Sequence, residues 1–383
     1  MKDFIFYNPV KVIFGSNSLD QLKEQLPADS KIMLVFGEGS IKKNGVYDKV
    51  KAALEGVDHI EFGGITPNPE YATCMEAVKI AKEEKVTFFL SVGGGSVLDG
   101  VKFISAAMKF EGGDPWEILS KSTPVTDALP IGAVLTIPAT GSEVNGNSVV
   151  SRREIGEKLA FSSPLVMPRF SIMDPSVTLS LPWRQTANGI VDAFVHVMEQ
   201  YLTYDVNSPL QDRQSEAILL TLVEVADVLK KDPRDLAGRA NLMWAASNAL
   251  NGIINCGVVQ DWSTHVIGHE ITALHGLDHA QTLAIILPAL MENQKKHKGA
   301  KIVQYGKRVW SLAGSDDEII AGAIKKTKEF FEFAGNPTTL SAYKLTVEDC
   351  LPAAQKLKDK GWMIGEHEAI GYDEIKSILN IAK

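Results

Sequence analysis

The sequence lacks paired cysteines, a long hydrophobic run and an excess of positive charge. Its three cysteines, Cys74, Cys256 and Cys350, lie far apart and form no CxxC pair, so we expect no disulfides and a reducing, cytoplasmic location. No uninterrupted apolar stretch reaches the roughly 18 residues of a membrane span, and the N-terminus has no signal-peptide core, so no membrane association is expected. The formal net charge of -8 argues against a nucleic-acid partner.

The hydrophobic pattern predicts two domains of different class. The chain has 383 residues, of which 45% are hydrophobic, so it can bury a large core, and its length favours two domains. In the first half, predicted strands over residues 31–36, 87–92 and 131–137 alternate with predicted helices over 46–54 and 97–109. This alternation predicts an α/β fold with a doubly wound parallel sheet.

From about residue 181 the pattern becomes helical, for example over residues 215–231 and 237–251. Pro175 and Pro182 bracket an extended segment at the change of pattern. We therefore predict an α/β domain over residues 1–180 and an all-helical domain over residues 181–383.

Three polar turns follow predicted strands of the first half. The first, GGGS at residues 93–96, joins a strand to a helix, where glycines let the backbone approach a pyrophosphate and the helix N-terminus attracts its charge. It does not have the Rossmann spacing, and by itself such a turn also occurs without a phosphate. The others are GEGS at residues 37–40 and the segment 136–143. Turns at the carboxyl ends of parallel strands line one crevice, so together they predict a nucleotide site.

Metal-ligand residue types are concentrated in the second half. Four histidines, His265, His269, His275 and His279, fall within fifteen residues, and Asp192 and His196 lie four apart, on one helix face. One carboxylate with several imidazoles suits a divalent metal that retains an open position for Lewis-acid chemistry. Spacing alone does not decide which histidines of the cluster bind.

The cluster also contains the beginning of a zinc-protease motif. His269 and Glu270 match the first half of HExxH, but Ala273 stands at the position of the second histidine. A peptidase is therefore excluded.

The segments GGGSVLDG, LTIPATGSE, VDAFVHVMEQY and DWSTHVIGHEITALHGLDHAQTLAI together resemble the iron-containing (group III) alcohol dehydrogenases. The resemblance is greatest to their NAD(P)H-dependent butanol dehydrogenases and broad aldehyde reductases. It implies an N-terminal nucleotide-binding domain, a helical metal domain, and hydride transfer between NAD(P)H and short-chain primary alcohols or aldehydes. It also implies one Fe2+ or Zn2+ ion, with the ligands Asp192, His196, His265 and His279. His269 would lie beside the nicotinamide, either as a proton relay or as a packing residue.

The predicted nucleotide contacts come mainly from the three turns. They are Gly37, Glu38, Ser40, Asn68, Gly94, Gly95, Ser96, Asp99, Thr136, Thr140, Ser142 and Lys158. The resemblance implies that NADP-preferring relatives carry glycine at position 38, and a carboxylate there repels a 2′-phosphate, so NAD is favoured. NADP remains the alternative, because Ser40, Lys42 and Lys43 could bind a 2′-phosphate if Glu38 turned to solvent.

Two other functions are alternatives to a dehydrogenase. A dehydroquinate-synthase-like lyase would also use NAD and a metal, but its polar substrate requires basic residues, and the motifs around the histidines are largely apolar. The other alternative is a non-catalytic metal- and nucleotide-binding protein.

Residues 4–14 alternate in polarity and predict either an edge strand that pairs across a dimer or a hairpin within the domain. Because relatives are commonly dimers, a homodimer is favoured.

Overall fold

The computed structural model describes all 383 residues and contains two compact units. The α/β unit comprises residues 7–182 and 232–247, and the helical unit comprises residues 1–6, 183–231 and 248–383. Both units are thus discontinuous in sequence. None of the helices combines the length and the apolar composition that a membrane crossing requires.

The α/β unit contains a six-stranded parallel sheet in the order β1-β8-β5-β4-β2-β3, beside a two-stranded antiparallel sheet of β6 and β7. The strands are β1 (Lys11–Phe14), β2 (Ile32–Phe36), β3 (His59–Phe62), β4 (Phe88–Gly94), β5 (Ile131–Ile137), β6 (Asn147–Arg152), β7 (Glu157–Ser162) and β8 (Phe170–Met173). The helices are α1 (Leu22–Gln25), α2 (Ser40–Lys43), α3 (Val46–Ala53), α4 (Tyr71–Glu83), α5 (Gly95–Lys109) and α6 (Glu117–Ser120). The predicted doubly wound parallel sheet is confirmed.

Strand β2 shows why the sheet strands are continuous apolar runs. Met33 and Val35 belong to one hydrophobic cluster, whereas Ile32, Leu34 and Phe36 belong to another. Since successive side chains of a strand point to opposite faces, both faces of the sheet are covered.

The strand register brings three strand ends to one edge of the sheet. Phe36 at the end of β2 pairs with Val92 in β4, and Gly94 at the end of β4 pairs with Ile137 at the end of β5. The three polar turns therefore follow the carboxyl ends of three adjacent parallel strands, as the sequence predicted.

The N-terminal segment forms an edge strand but no hairpin. Only Lys11–Phe14 is a strand, and it pairs in parallel with β8, Lys11 opposite Phe170. The hairpin alternative is therefore wrong. Residues 1–10 belong to no regular element, and the backbone N–H of Lys2 donates to the Gly257 carbonyl at 2.9 Å.

The remaining helices confirm the predicted all-helical second half. They are α7 (Trp183–Tyr201), α8 (Pro209–Lys231), α9 (Leu236–Ala249), α10 (Ser263–His275), α11 (His279–Asn293), α12 (Lys295–Arg308), α13 (Asp316–Ala334), α14 (Val347–Asp359) and α15 (Tyr372–Ile381). Most of α9 packs with the α/β unit. Helix α7 is buried on all sides from Gly189 to Tyr201, and its Phe194 contacts the rings of Phe330 and Phe331.

Close packing at Gly132 provides a test of the sheet. Gly132 in β5 lies opposite Phe170 in β8, and a Cβ atom at position 132 would lie 2.4 Å from the Phe170 Cζ atom. The ring also stacks on Phe88 and is 4% exposed, so it has little room to move. We expect Gly132→Ala to lower the free energy of unfolding by about 1–3 kcal/mol, measured from the urea midpoint.

The matched control is Gly113→Ala, whose Cβ would meet only the Glu117 Oε1 atom at 3.9 Å. It should unfold at nearly the wild-type midpoint. Equal midpoints for both variants would contradict the described packing.

Candidate functional site

Three helices of the helical unit bring together the predicted metal ligands. Helix α7 carries Asp192 and His196 one turn apart on one face. Helix α10 carries His265, and α11 begins at His279, after a turn in which Gly276 has the left-handed φ of 69°. This short turn allows α10 and α11 to present their histidines to α7.

Three of the predicted ligands, His196, His265 and His279, surround one oxygen of the fourth, Asp192. Its Oδ1 atom lies 3.6 Å from His196 Nε2, 3.9 Å from His265 Nε2 and 3.6 Å from His279 Nε2. The ligand atoms of Asp192, His265 and His279 all lie within 4.8 Å of one another. His196 stands outside this tightest group, although its ring stacks on that of His265 with centroids 4.8 Å apart.

This arrangement fits a divalent metal ion. Metal bonds of about 2.0–2.2 Å place neighbouring tetrahedral ligand atoms roughly 3.3–3.6 Å apart, close to the separations between Asp192 Oδ1 and the imidazole nitrogens. Asp192 is 4% exposed, and its Oδ1 is buried and accepts no hydrogen bond. A buried anion requires a compensating charge, which a cation supplies. Imidazoles with one carboxylate suit both Fe2+ and Zn2+.

The two other histidines of the cluster have different surroundings. The His269 ring lies 4.9 Å from the ring of His279 and 6.1 Å from that of His265, between centroids. The His275 Nε2 atom lies 3.0 Å from the backbone carbonyl oxygen of Asp349. His269 therefore borders the cluster, whereas His275 lies at the end of α10 and contacts α14.

The sequence interpretation missed Glu199, a buried residue of α7. Its Oε1 atom accepts a hydrogen bond from the backbone N–H of His265 at 2.9 Å and lies 3.0 Å from the His265 Nδ1 atom. Burial, together with the negative charge of Asp261, raises the pKa of Glu199 to about 8. One signal was available, because Glu199 lies seven residues after Asp192 and so shares its helix face.

In the α/β unit, the GGGS turn packs closely against the next polar turn. A Cβ atom at Gly95 would lie 2.2 Å from the Thr140 Oγ1 atom, and one at Gly94 would lie 3.0 Å from Ile137 Cβ. Close approach of the two turns therefore requires these glycines, in addition to any approach by a phosphate.

Three of the predicted nucleotide contacts form one polar group. The Lys158 Nζ donates to Asn68 Oδ1 at 2.8 Å, and the Asn68 backbone N–H donates to Ser96 Oγ at 3.4 Å. Asn68 has a left-handed φ of 55°, which asparagine tolerates better than most residues. The structure thus places Asn68 and Lys158 beside the GGGS turn.

Asp99 and Ser142 support the turn at residues 136–143. Ser142 Oγ donates to Asp99 Oδ1 at 2.7 Å, and the backbone N–H of Val149 donates to Asp99 Oδ2 at 3.1 Å. The buried Lys102 donates to the Ser142 carbonyl at 2.7 Å, and burial lowers the pKa of Lys102 to about 8.

The remaining predicted contacts occupy the ends of β5 and β2, the strands on either side of β4. Thr136 is buried near the end of β5, Gly37 directly follows β2, and Glu38 and Ser40 are exposed beyond it. All twelve predicted positions therefore belong to the α/β unit. Their contacts with a nucleotide stay predictions.

Comparison with known proteins identifies the family. The model of the iron-containing alcohol dehydrogenases matches residues 9–175, and the model of their C-terminal part matches residues 186–382. The chain is 50% identical over 387 residues to the NADPH-dependent aldehyde reductase YqhD of Escherichia coli, with 100% of both chains covered. It is 39% identical over 385 residues to the probable NADH-dependent butanol dehydrogenase 1 of Bacillus subtilis, with 99% of each covered.

Solved structures agree with this family. The crystal structure of Escherichia coli YqhD superposes with a TM-score of 0.98 and covers 100% of this chain and 99% of that one, at 50% identity. NADH-dependent butanol dehydrogenase A of Thermotoga maritima gives a TM-score of 0.95 at 35% identity, with 100% and 99% covered. The family predicted from the sequence is confirmed. The chain belongs to the iron-containing alcohol dehydrogenases and is an NAD(P)-dependent alcohol dehydrogenase or aldehyde reductase.

Proposed function

We propose that this enzyme interconverts short-chain aldehydes and primary alcohols, with butanal as a representative substrate. The observation that carries the proposal is the approach of three imidazoles to the buried Asp192 oxygen, in a chain that matches aldehyde reductases and butanol dehydrogenases over its full length. Bound there, a divalent metal supplies Lewis acidity toward the oxygen of the substrate.

In this proposal the protein residues bind the ion and partly neutralise its charge. Asp192 contributes one negative charge, and His196, His265 and His279 each contribute a neutral nitrogen. A neutral imidazole ligates through one ring nitrogen while the other carries a proton. The family favours Fe2+ as the ion in the cell, whereas intrinsic affinity favours Zn2+.

The nicotinamide cofactor binds, in this proposal, at the three turns of the α/β unit and supplies or accepts the hydride. The start of α5 offers backbone N–H groups to the pyrophosphate at the GGGS turn, and Lys158 adds a positive charge close to Ser96. The glycine turns keep side chains away from that position.

We assign His269 the role of proton relay. It follows His265 by one helical turn on α10, is half-buried, and borders the ligand cluster through His279. An imidazole can hold or pass a proton near neutral pH.

The proposed domains remain residues 1–180 and 181–383, although the segments 1–6 and 232–247 pack with the other unit.

We propose NAD(H) as the preferred cofactor. The names of the relatives point both ways, because the Escherichia coli enzyme is called NADPH-dependent and the Bacillus subtilis enzymes NADH-dependent. Glu38 is exposed two residues after the end of β2, where its charge repels a 2′-phosphate. The Lys42 ammonium lies 4.9 Å from the ring centroids of both Phe36 and Tyr47, so aromatic contacts already engage this competing cation.

We further propose that the enzyme is a homodimer that covers its N-terminal apolar segment. Phe4, Ile5, Phe6 and Tyr7 are consecutive and are 51%, 96%, 47% and 63% exposed. A second copy of the chain is the expected cover, since contiguous exposed apolar residues mark interaction surfaces. The cytoplasmic location stays a prediction.

Removal of one metal ligand tests the site. His265→Ala is expected to raise the dissociation constant for the metal by more than the roughly 10–100-fold that loss of an outer-shell partner causes. Reduction of butanal should be lost together with the metal. Metal content after dialysis and turnover of NADH would be measured. The control His297→Ala changes an exposed histidine of α12 and should behave like wild type. A fully active His265→Ala enzyme would refute the ligand assignment.

Replacement of Glu38 tests cofactor choice. Glu38→Gly should raise the ratio of kcat/KM for NADPH to that for NADH by about tenfold, equivalent to removing about 1.4 kcal/mol of repulsion. Glu55→Gly removes the same charge from another exposed position of the α/β unit and should leave the ratio unchanged. An unaltered ratio in Glu38→Gly would show that Glu38 does not select the cofactor.

A charge in the N-terminal segment tests the homodimer. Ile5→Asp should shift the mass measured by sedimentation equilibrium from that of two chains toward that of one, because a carboxylate cannot be buried there without a partner. Leu210→Asp, at an exposed leucine of the same unit, is the control and should stay dimeric. A monomeric wild-type enzyme would disprove the proposal.

A further inference from the structure

Helix α7 carries the buried Glu199 on the same face as Asp192 and His196, the two predicted metal ligands of this helix. Glu199 follows Asp192 by seven residues and His196 by three, which on a helix places all three side chains on one side. Glu199 is 3% exposed. A carboxylate buried this deeply needs hydrogen-bond donors, and the donors that it has belong to His265.

The contacts with His265 select one form of the imidazole. Glu199 Oε1 accepts from the His265 backbone N–H at 2.9 Å and faces the His265 Nδ1 at 3.0 Å. Because Oε1 already acts as the acceptor for the backbone N–H, we take it as the acceptor for Nδ1 as well, so the neutral ring donates its proton from Nδ1. This tautomer leaves a lone pair on Nε2, the nitrogen that lies 3.9 Å from Asp192 Oδ1.

Glu199 is itself fixed to the beginning of α10. The backbone N–H of Asp261 donates to the Glu199 carbonyl at 2.9 Å, and Asp261 Oδ1 accepts a hydrogen bond from the Ser263 backbone N–H at 3.0 Å. The buried Lys298 donates to Asp261 Oδ2 at 2.9 Å. These bonds connect α7 to the first turn of α10, two residues before His265.

We propose that Glu199 is a positioning residue that sets the tautomer and orientation of His265 and thereby strengthens metal binding. The inference rests on the proposed metal site, with His265 as a ligand. Outer-shell carboxylates that orient metal-bound histidines raise metal affinity by about 10–100-fold. Glu199 touches neither the substrate nor the ion in this role.

The test measures metal affinity and not activity. Metal-free full-length enzyme is titrated with Co2+, followed by its visible absorption, and with Zn2+ in competition with a chromophoric chelator. Glu199→Leu removes the acceptor and is expected to raise the dissociation constant by about 10–100-fold and to change the Co2+ spectrum. Glu199→Gln retains a carbonyl oxygen that can accept from Nδ1–H, so it should recover part of the affinity.

The control is Glu216→Gln, at another buried glutamate of the helical unit. Glu216 accepts hydrogen bonds from Tyr201 at 2.8 Å and Arg308 at 2.9 Å. A merely structural loss of buried charge would affect this variant as well, whereas we expect it to bind Co2+ like wild type.

Two results would overturn the inference in distinguishable ways. Wild-type affinity and an unchanged Co2+ spectrum in Glu199→Leu would refute the role of Glu199 alone. Failure of the wild-type enzyme to bind Co2+, or wild-type binding by His265→Ala, would refute the metal site and the inference together.

A measurement on the wild-type enzyme covers the case in which Glu199→Leu does not fold. Nitrogen-15 NMR of the histidine rings in the zinc-loaded enzyme reports which nitrogen of His265 carries the proton. We expect protonated Nδ1. Protonated Nε2 would overturn the inference.

Discussion

The burial of Asp192 is the constraint on which the helical unit depends. A carboxylate in the middle of a helix that is buried on all sides is unfavourable unless positive charge or hydrogen-bond donors reach it. Asp192 Oδ1 accepts no hydrogen bond and is surrounded by imidazoles from three helices, so a bound cation would meet this requirement. Glu199 and Asp261 connect two of these helices at the same place. The packing that excludes water from α7 also gives the cluster the charge and donor types that a divalent ion requires.

A different constraint shapes the α/β unit. Three neighbouring strands end in turns at one edge of the sheet, and two of these turns approach each other so closely that a Cβ atom at Gly95 would lie 2.2 Å from the Thr140 Oγ1 atom. The buried Lys102 and the half-buried Asp99 then hold the turn at residues 136–143 in place. The result is a closely packed polar edge, where the nucleotide is predicted to bind.

The sequence predicted local features well and long-range contacts poorly. The strands over residues 32–36, 88–94 and 131–137 were found because each is a buried apolar run, and the turn and ligand motifs carry their chemistry in a few consecutive residues. Helix α8 begins at Pro209, six residues before the predicted start at residue 215. The hydrophobic periodicity did not indicate this start, whereas Pro209 did, because proline is common at the first position of a helix.

Glu199 and the N-terminal segment show what the sequence could not settle. Glu199 binds a residue 66 positions away, and no local pattern reports such a contact. Residues 4–14 alternate as a strand does, yet only Lys11–Phe14 has a partner strand, β8, which lies more than 150 residues further along the chain. The alternation shows that the segment can be extended but not what it pairs with.

In the proposed site, the Asp192 cluster holds the ion that the reaction requires. The most direct measurement is oxidation of NADH and of NADPH with butanal, by enzyme stripped of metal and then reloaded with Fe2+ or Zn2+. We expect turnover to be lost on stripping and recovered on reloading, with NADH as the better cofactor. Full turnover by the metal-free enzyme, or no turnover with either cofactor despite bound metal, would contradict this proposal.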